Sequence, residues 1–438
     1  MESLAEEILR EILQKLPARD LIRSSCVCRL WRAVIGDPSF RRLHAKASHV
    51  VSGSGAETLL VRQIRGARIS QEMIVHNVSS AKPMCSITDV GSAYNPTNVC
   101  NGFICLASCM PNWPIYVCNP LTGDKLTVPP PPKIEGAASR KYAIGFNAST
   151  HQYKLFRLSI MWSNSKGGHY LDVYTLGGDG GWRRHPYRFP YSPTHGLHSP
   201  PPVFLDGKLY ALTARPHTLH VFDTILVIDV ASEVHYTYTL PEFGGSYVLG
   251  MHAFEMRGNL CVAVDVICPR RLCFWVMLPL QSMGLPCTWE LRYTIYMDDD
   301  DNGSDRSTGV WFDDGDRTLC YRMGNCLYKY DTTKDEQQAI GCFSKWDHRI
   351  QLPAAPRSEN QQWNVYGGYR PSLVSPRLLF APAPSSLMQH QDEQERFAQA
   401  LVHALQRQKS SKESSPMCQD DSREPWSVES NDSEDGVF

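Results

Sequence analysis

The run Asp298-Asp299-Asp300-Asp301-Asn302-Gly303 places oxygen-bearing side chains at positions 1, 3 and 5 of a potential calcium loop and glycine at position 6, the opening of an EF-hand. Position 12 is Gly309 where such loops use a bidentate Glu, so the run reads as a solvated acidic loop. Cys100, Cys105, Cys109 and Cys118 are close enough to suggest zinc, but they do not form the paired short knuckles of structural sites and read as free thiols. His185, His195, His198, His217 and His220 lie near Pro and Tyr, with no Gly-x-Ser-x-Gly or His-Glu-x-x-His beside them. The glycines around Asp179 make a turn and no phosphate cradle, since neither a helix nor a Lys-Ser/Thr pair follows. No catalytic residue, metal or cofactor is assigned.

The elements that hold these residues matter more. The chain has 438 residues, 42% hydrophobic and 20% charged, which suits a folded protein with a sizeable core. A net charge of -1 supplies no global field for nucleic acid or an anionic membrane. Glu2, Glu6 and Glu7 follow Met1 where a signal peptide would be basic and then apolar, and no run approaches the roughly 18 apolar residues of a membrane span. Fifteen scattered cysteines then imply reduced thiols, in the cytoplasm and/or nucleus.

Residues 1–48 read as a small helical module. Leu4, Ile8, Ile12 and Leu16 form one row of a first helix, with Leu9 and Leu13 beside it. Leu16-Pro17 stops that helix, and Asp20 is an N-cap for a second through Leu21 and Ile22. Ser24 to Ile35 predicts a third, with Val27, Leu30, Trp31 and Val34 on one face. Gly36 ends it, and Asp37-Pro38 restarts a short helix carrying Phe40 and Leu43. Arg29, Arg32, Arg41 and Arg42 raise the alternative of a DNA-binding helix-turn-helix, but the third helix is too apolar to read base edges. Periodicity alone leaves open whether the apolar residues form a small core or dock a partner.

In order and spacing, Leu4, Glu7-Ile8-Leu9, Ile12-Leu13, Leu16-Pro17, Asp20-Leu21, Val27 through Arg32 and Asp37 through Phe40 resemble an F-box. The family's opening Leu-Pro is Leu4-Ala5 here, and its frequent Phe after Ile is Leu13, both mild changes. The resemblance implies binding of a Skp-type adaptor, and through it cullin and RING proteins, by Leu4, Ile8, Leu9, Ile12, Leu13, Leu16, Pro17, Asp20, Leu21, Val27, Cys28, Trp31 and Arg32.

From 49 to 385 the helical period gives way to short strands punctuated by turn residues, an all-β signature. A turn glycine enters an apolar strand at Gly102, Gly207, Gly258 and Gly324, and polar turns follow at Asn119, Asp229 and Asp331. A spacing near 50 residues is the scale of kelch-like propeller blades, and predicts six or seven. With Asn119-Pro-Leu-Thr-Gly123 and the unit from Tyr142 to Trp182, the region is similar to the F-box-associated region of plant F-box proteins, which implies a β-propeller-like, substrate-recognising domain. Trp113, Tyr187, Tyr191 and Trp311 are candidate anchors for a target protein, against the alternative that they cover blade edges or fill the core. Residues 386–409 suggest an amphipathic helix carrying Phe397, Leu401, Ala404 and Leu405, and 410–438 a disordered acidic tail with phosphate-accepting serines such as Ser415 and Ser433.

The expected fold is thus multidomain, α plus all-β, and the expected function is that of a non-catalytic substrate receptor in a Skp-cullin-F-box ubiquitin ligase. The competing class is an F-box protein that acts as a structural or regulatory binder outside a ligase. A kelch-type copper oxidase using Tyr, Cys and His is a minor alternative, opposed by the absence of a secretory signature.

Overall fold

The computed structural model of the chain describes residues 2–50, 57–65, 73–77, 83–87, 94–108, 110, 112–134, 137–161, 169–178, 180–189, 192–193, 200–214, 222–243, 248–267, 270–278, 288–296, 307–313, 317–323, 326–332, 342–343, 348–351 and 360–377. The acidic run 298–303, Cys109, His195, His198, His217, His220, Tyr191, Gly324, the expected helix at 386–409 and the tail at 410–438 lie outside them.

Four helices open the chain: α1 (Glu2–Gln14), α2 (Ala18–Ser24), α3 (Arg29–Gly36) and α4 (Pro38–Val50). Three boundaries differ from the sequence reading. α2 begins straight after Pro17, whose φ of -57° and ψ of 148° lead into it, so Asp20 is no cap but sits in the first turn, where it complements the helix dipole and pairs with Arg23 at 2.9 Å. α3 starts at Arg29 instead of Ser24, because Cys28 is extended and accepts the Trp31 amide on Sγ at 3.5 Å. α4 is 13 residues long where a short helix was expected; Asp37 starts it by accepting the Ser39 amide at 3.0 Å, with Pro38 at the first helical position.

The rest is built of antiparallel sheets taken in turn along the chain. β1 (Glu57–Arg65), β2 (Met73–Asn77) and β3 (Pro83–Ile87) begin the first. The second is β4 (Tyr94–Cys100), β5 (Phe103–Ser108), β6 (Ile115–Cys118) and β7 (Lys125–Val128); the third is β8 (Ala137–Asn147), β9 (Gln152–Met161), β10 (His169–Thr175) and β11 (Arg183–Phe189). The fourth holds β12 (Ser192–Pro193), β13 (Val203–Leu205), β14 (Lys208–Ala214), β15 (Thr224–Asp229) and β16 (His235–Thr239). β17 (Val248–Met256), β18 (Asn259–Val266), β19 (Arg271–Leu278) and β20 (Thr288–Tyr296) form the fifth. β21 (Ser307–Asp313), β22 (Thr318–Met323) and β23 (Cys326–Asp331) lead into the sixth; β24 (Cys342–Phe343) joins the edge of β20 in parallel and β25 (His348–Gln351) completes the sixth beside β23. The last strand, β26 (Asn360–Tyr369), returns to pair with β1, for example Leu60 with Val365. The fold is a β-propeller whose first sheet is finished by the final strand, which covers the edge of β1 and so joins the end of the ring to its beginning.

The turn glycines are legible in the backbone. Asn101 and Gly102 (φ 45° and 86°), Asp206 and Gly207 (47° and 72°), and Arg257 and Gly258 (51° and 75°) are two-residue hairpins with both central residues left-handed, as a type I′ turn requires. Each joins the strands at the inner end of its sheet.

Neighbouring sheets are tied by buried polar contacts. The Asn98 amide donates to the Ile144 carbonyl at 2.8 Å and accepts the Ile144 N–H at 2.8 Å, bridging β4 and β8. The Tyr366 hydroxyl donates to the Pro96 carbonyl at 2.9 Å, linking the first sheet to the second. Lys154 crosses from the third sheet to the fourth, bonding the Val230 carbonyl at 2.9 Å and Glu233 Oε1 at 2.7 Å. Trp311, expected as a surface anchor, is 1% exposed, because its strand β21 is an inner strand with Val310 and Phe312 buried on the opposite face.

Candidate functional site

The two apolar rows of α1 part company. Leu13 is 0% exposed and Leu9 half-buried, packed with Ala18, Leu21, Ile22, Val34, Ile35 and Phe40. Ile8 and Ile12, one turn apart on the other row, are each 52% exposed. Val27, just before α3, is 65% exposed and Leu30, in its first turn, 48%. With about half of each side chain in water, each forgoes about half of the roughly 1.5–3 kcal/mol that full burial would give. Pro17, Cys28 and Arg32 are also exposed, while Leu16, Asp20 and Trp31 are half-buried. The expected adaptor-binding set therefore divides. Leu13 and Leu21 are enclosed and can act only by positioning the helices; Ile8, Ile12, Val27, Pro17, Cys28 and Arg32 face solvent. The side chain of Leu4 lies outside the described residues. The sequence reading left Leu30 out of this set, although its place three residues after Val27 was a usable signal.

The side of the helical module turned away from these residues is seated on the propeller. Its core includes Leu121, from the turn between β6 and β7, and Leu373, from the strap that follows β26. The Asn119 amide donates to the Ser372 and Val374 carbonyls at 2.7 and 2.8 Å, and Asn119 Oδ1 accepts the Leu121 N–H at 2.8 Å. Gly102 admits the strap, since a Cβ there would stand 2.7 Å from Ser372 Cβ and 2.8 Å from the Arg370 carbonyl. Arg19 Nε donates to Glu57 Oε1 at 2.7 Å and its second nitrogen lies 3.3 Å from Met84 Sδ. Within the module, Arg10 donates to Asp37 at 2.7 Å; burial alone would raise the Asp37 carboxyl, but bonds from Ser39 and Arg10 outweigh it and hold it below its ordinary value. None of these long-range ties is readable from sequence, where Asn119 stands as a turn residue and as the start of the Asn119-Pro-Leu-Thr-Gly123 run.

The seat defines two ends of the propeller. In an antiparallel four-strand meander the first and third hairpins open at one end, and the second hairpin opens at the other. The helical module and strap sit at the end of the Asn101-Gly102 and Asn119–Asp124 turns. Met110 (50% exposed) and Trp113 (42%) occupy the β5–β6 loop, at the opposite end. Trp113 leans on Tyr94, ring centres 5.6 Å apart, and the Tyr94 hydroxyl donates to the Pro114 carbonyl at 2.9 Å. Tyr187 lies on β11, its side chain outside the described residues.

Cys100, Cys105 and Cys118 are buried, and burial pushes the Cys105 thiol up to about 12. Such thiols stay protonated and are poor ligands or nucleophiles. No group of three His, Cys, Asp or Glu able to hold a metal is present among the described residues.

Comparison with known proteins follows this architecture. Residues 1–43 match the F-box domain, and residues 58–280, half of the chain, match the F-box associated beta propeller domain. The chain belongs to the F-box proteins with an F-box-associated propeller. The F-box protein At3g07870 of Arabidopsis thaliana is 25% identical over 332 residues, spanning 67% of this chain and 73% of that one. At5g52610 of the same plant, also named as an F-box protein, is 28% identical over 222 residues, 50% of this chain and 58% of that one. Among solved structures, the Myceliophteria thermophila Cps50 (Swd1) beta-propeller domain aligns at 11% identity and a TM-score of 0.37, covering 68% of this chain and 88% of that chain.

Proposed function

We propose that this F-box protein is the substrate receptor of a Skp-cullin-F-box ubiquitin ligase. The observation that carries the reading is the division of the helical module: Ile8, Ile12, Val27 and Leu30 stand in solvent, while the module's other side shares one core with Leu121 and Leu373 of the propeller region. A Skp-type adaptor covers the exposed residues and brings cullin and RING proteins with it. The propeller end carrying Trp113 and Met110 faces away from the module and receives a target protein, with Trp113 as its anchor. The receptor makes and breaks no bond; it raises the effective concentration of target lysines at the loaded ubiquitin carrier. The assembly works in the cytoplasm and/or nucleus, where the thiols remain reduced.

The test is reconstitution. The full chain is mixed with a Skp-type adaptor, cullin and RING protein and passed over a sizing column. Coelution of all four supports the reading, whereas a stable complex with adaptor alone that excludes cullin places the protein outside ligases. Failure of the wild-type chain to bind adaptor overturns it.

A further inference from the structure

The crossover from β7 to β8 contains Pro129-Pro130-Pro131-Pro132-Lys133-Ile134. Each proline ring fixes φ near -65°, and each proline pushes the residue before it out of the α region, so the run is confined to the polyproline II helix. That helix has three residues per turn, hence three edges. The burial follows the same period. Pro131 and Ile134 share one edge and are buried; Pro129 and Pro132 share the second, and Pro130 and Lys133 the third, and all four are exposed.

The ridge is held by the third sheet. The Trp182 indole N–H donates to the Pro129 carbonyl at 2.9 Å, and the Arg157 guanidinium donates to the Pro132 carbonyl at 2.7 Å. Arg157 is itself fixed by Asp172, at 2.7 and 3.0 Å, with both side chains nearly fully buried. Both ends of the run are therefore anchored through backbone oxygens, which leaves the rings of two edges uncovered. A run of this kind used only as a spacer needs no such clamp. Lys133 makes no hydrogen bond or ion pair among the described residues.

We propose that residues 129–133 are a docking ridge for a polyproline-reading protein module, one with an aromatic groove and an acidic side chain at its rim. Aromatic grooves take polyproline II ligands because the ordering entropy is already spent before binding. Here the clamp from Trp182 and Arg157 orders the ridge further. The two open edges match a groove that grips a three-edged helix from one side, and Lys133, on one of them, selects an acidic rim. This surface is separate from the helical module, so it stands or falls independently of adaptor binding.

The probe is a panel of purified SH3 and WW domains with acidic groove rims, tested against the full chain by biolayer interferometry. At least one domain should bind saturably. In the chain carrying Pro129→Ala and Pro132→Ala together, affinity should fall about tenfold or more, as expected when both ring contacts on one edge are removed. Lys133→Glu alone should weaken it about threefold or more, with most of the change in the association rate. A free peptide of residues 127–134 should compete. Circular dichroism and the thermal midpoint, unchanged in these surface variants, separate lost contacts from lost fold. Absence of binding by every domain of the panel overturns the proposal, as does binding that survives the double alanine variant in a folded chain.

Discussion

Asn119 holds Ser372: the side-chain amide in a turn of the second sheet donates at 2.7 Å to a carbonyl 253 residues later in the chain. The same nitrogen reaches the Val374 carbonyl, and Leu373 between them enters the core of the helical module. The strap can be seated only once β26 has closed the ring, so correct placement of the F-box helices depends on completion of the propeller. Asn119→Ala strands two buried carbonyls and the Leu121 N–H, and each stranded buried group costs about 1–3 kcal/mol. Its urea midpoint should fall markedly at unchanged slope, and a midpoint equal to wild type would show that the strap does not hold the module.

The two rows of α1 predict opposite phenotypes. Ile8→Asp with Ile12→Asp should leave stability within about 0.5 kcal/mol, as for surface changes generally, and abolish adaptor capture. Leu13→Ala should cost about 2–5 kcal/mol, because Leu13 is fully enclosed. Paired thermal melts and adaptor pull-downs decide; loss of stability without loss of binding in the double aspartate variant would reverse the assignment of faces.

What could be read from the sequence follows the range of the interactions. Leu13-x-x-Leu16-Pro17 and the Asn-Gly, Asp-Gly and Arg-Gly turns are fixed by neighbours within a few residues, so helices, hairpins and the family pattern were legible. Periodicity showed that α1 has two apolar rows but not which row is covered, because the cover comes from Ala18, Ile35 and Leu373 together. For the same reason the sequence does not choose between the two readings of Trp311: its residue type suits an anchor, and only the placement of β21 among inner strands decides for the core. The expected start of the third helix failed locally, since a run of helix-compatible residues does not reveal that Cys28 turns extended to cap it.

The seam between the third and fourth sheets should be acid-sensitive. Glu233 accepts from Lys154 at 2.7 Å and pairs with Arg183, while Lys154 also bonds the Val230 carbonyl. Burial alone would raise the Glu233 carboxyl, but the bonds from Arg183 and Lys154 outweigh it and hold it below its ordinary 4.5. With the folded value below the unfolded one, the stabilisation is complete above the unfolded value and is lost as pH falls through the folded one. Glu233→Gln should cost about 1–3 kcal/mol at neutral pH, between the value of an exposed pair and that of a fully buried one because Arg183 is half exposed, and the deficit should vanish in acid. A deficit independent of pH in urea titrations would assign the effect to shape instead of charge.

Asn98 tests how the ring is kept in register between its second and third sheets. Its amide satisfies both the N–H and the carbonyl of Ile144, and the side chain is 1% exposed, so bulk solvent does not compete for either bond. Two substitutions separate the two bonds. Asn98→Asp keeps an acceptor for the Ile144 N–H but turns a second oxygen toward the Ile144 carbonyl, whereas Asn98→Ala strands both groups. Each stranded group costs about 1–3 kcal/mol, and an ionised Asp adds burial of an unpaired charge. The expected signature is therefore in hydrogen exchange. The Ile144 amide should lose protection in Asn98→Ala at every pH. In Asn98→Asp protection should return as the pH is lowered, because a protonated carboxyl can again donate to the carbonyl while accepting the N–H. Equal protection in the two variants across pH would mean that the bridge is not made through both atoms of the amide.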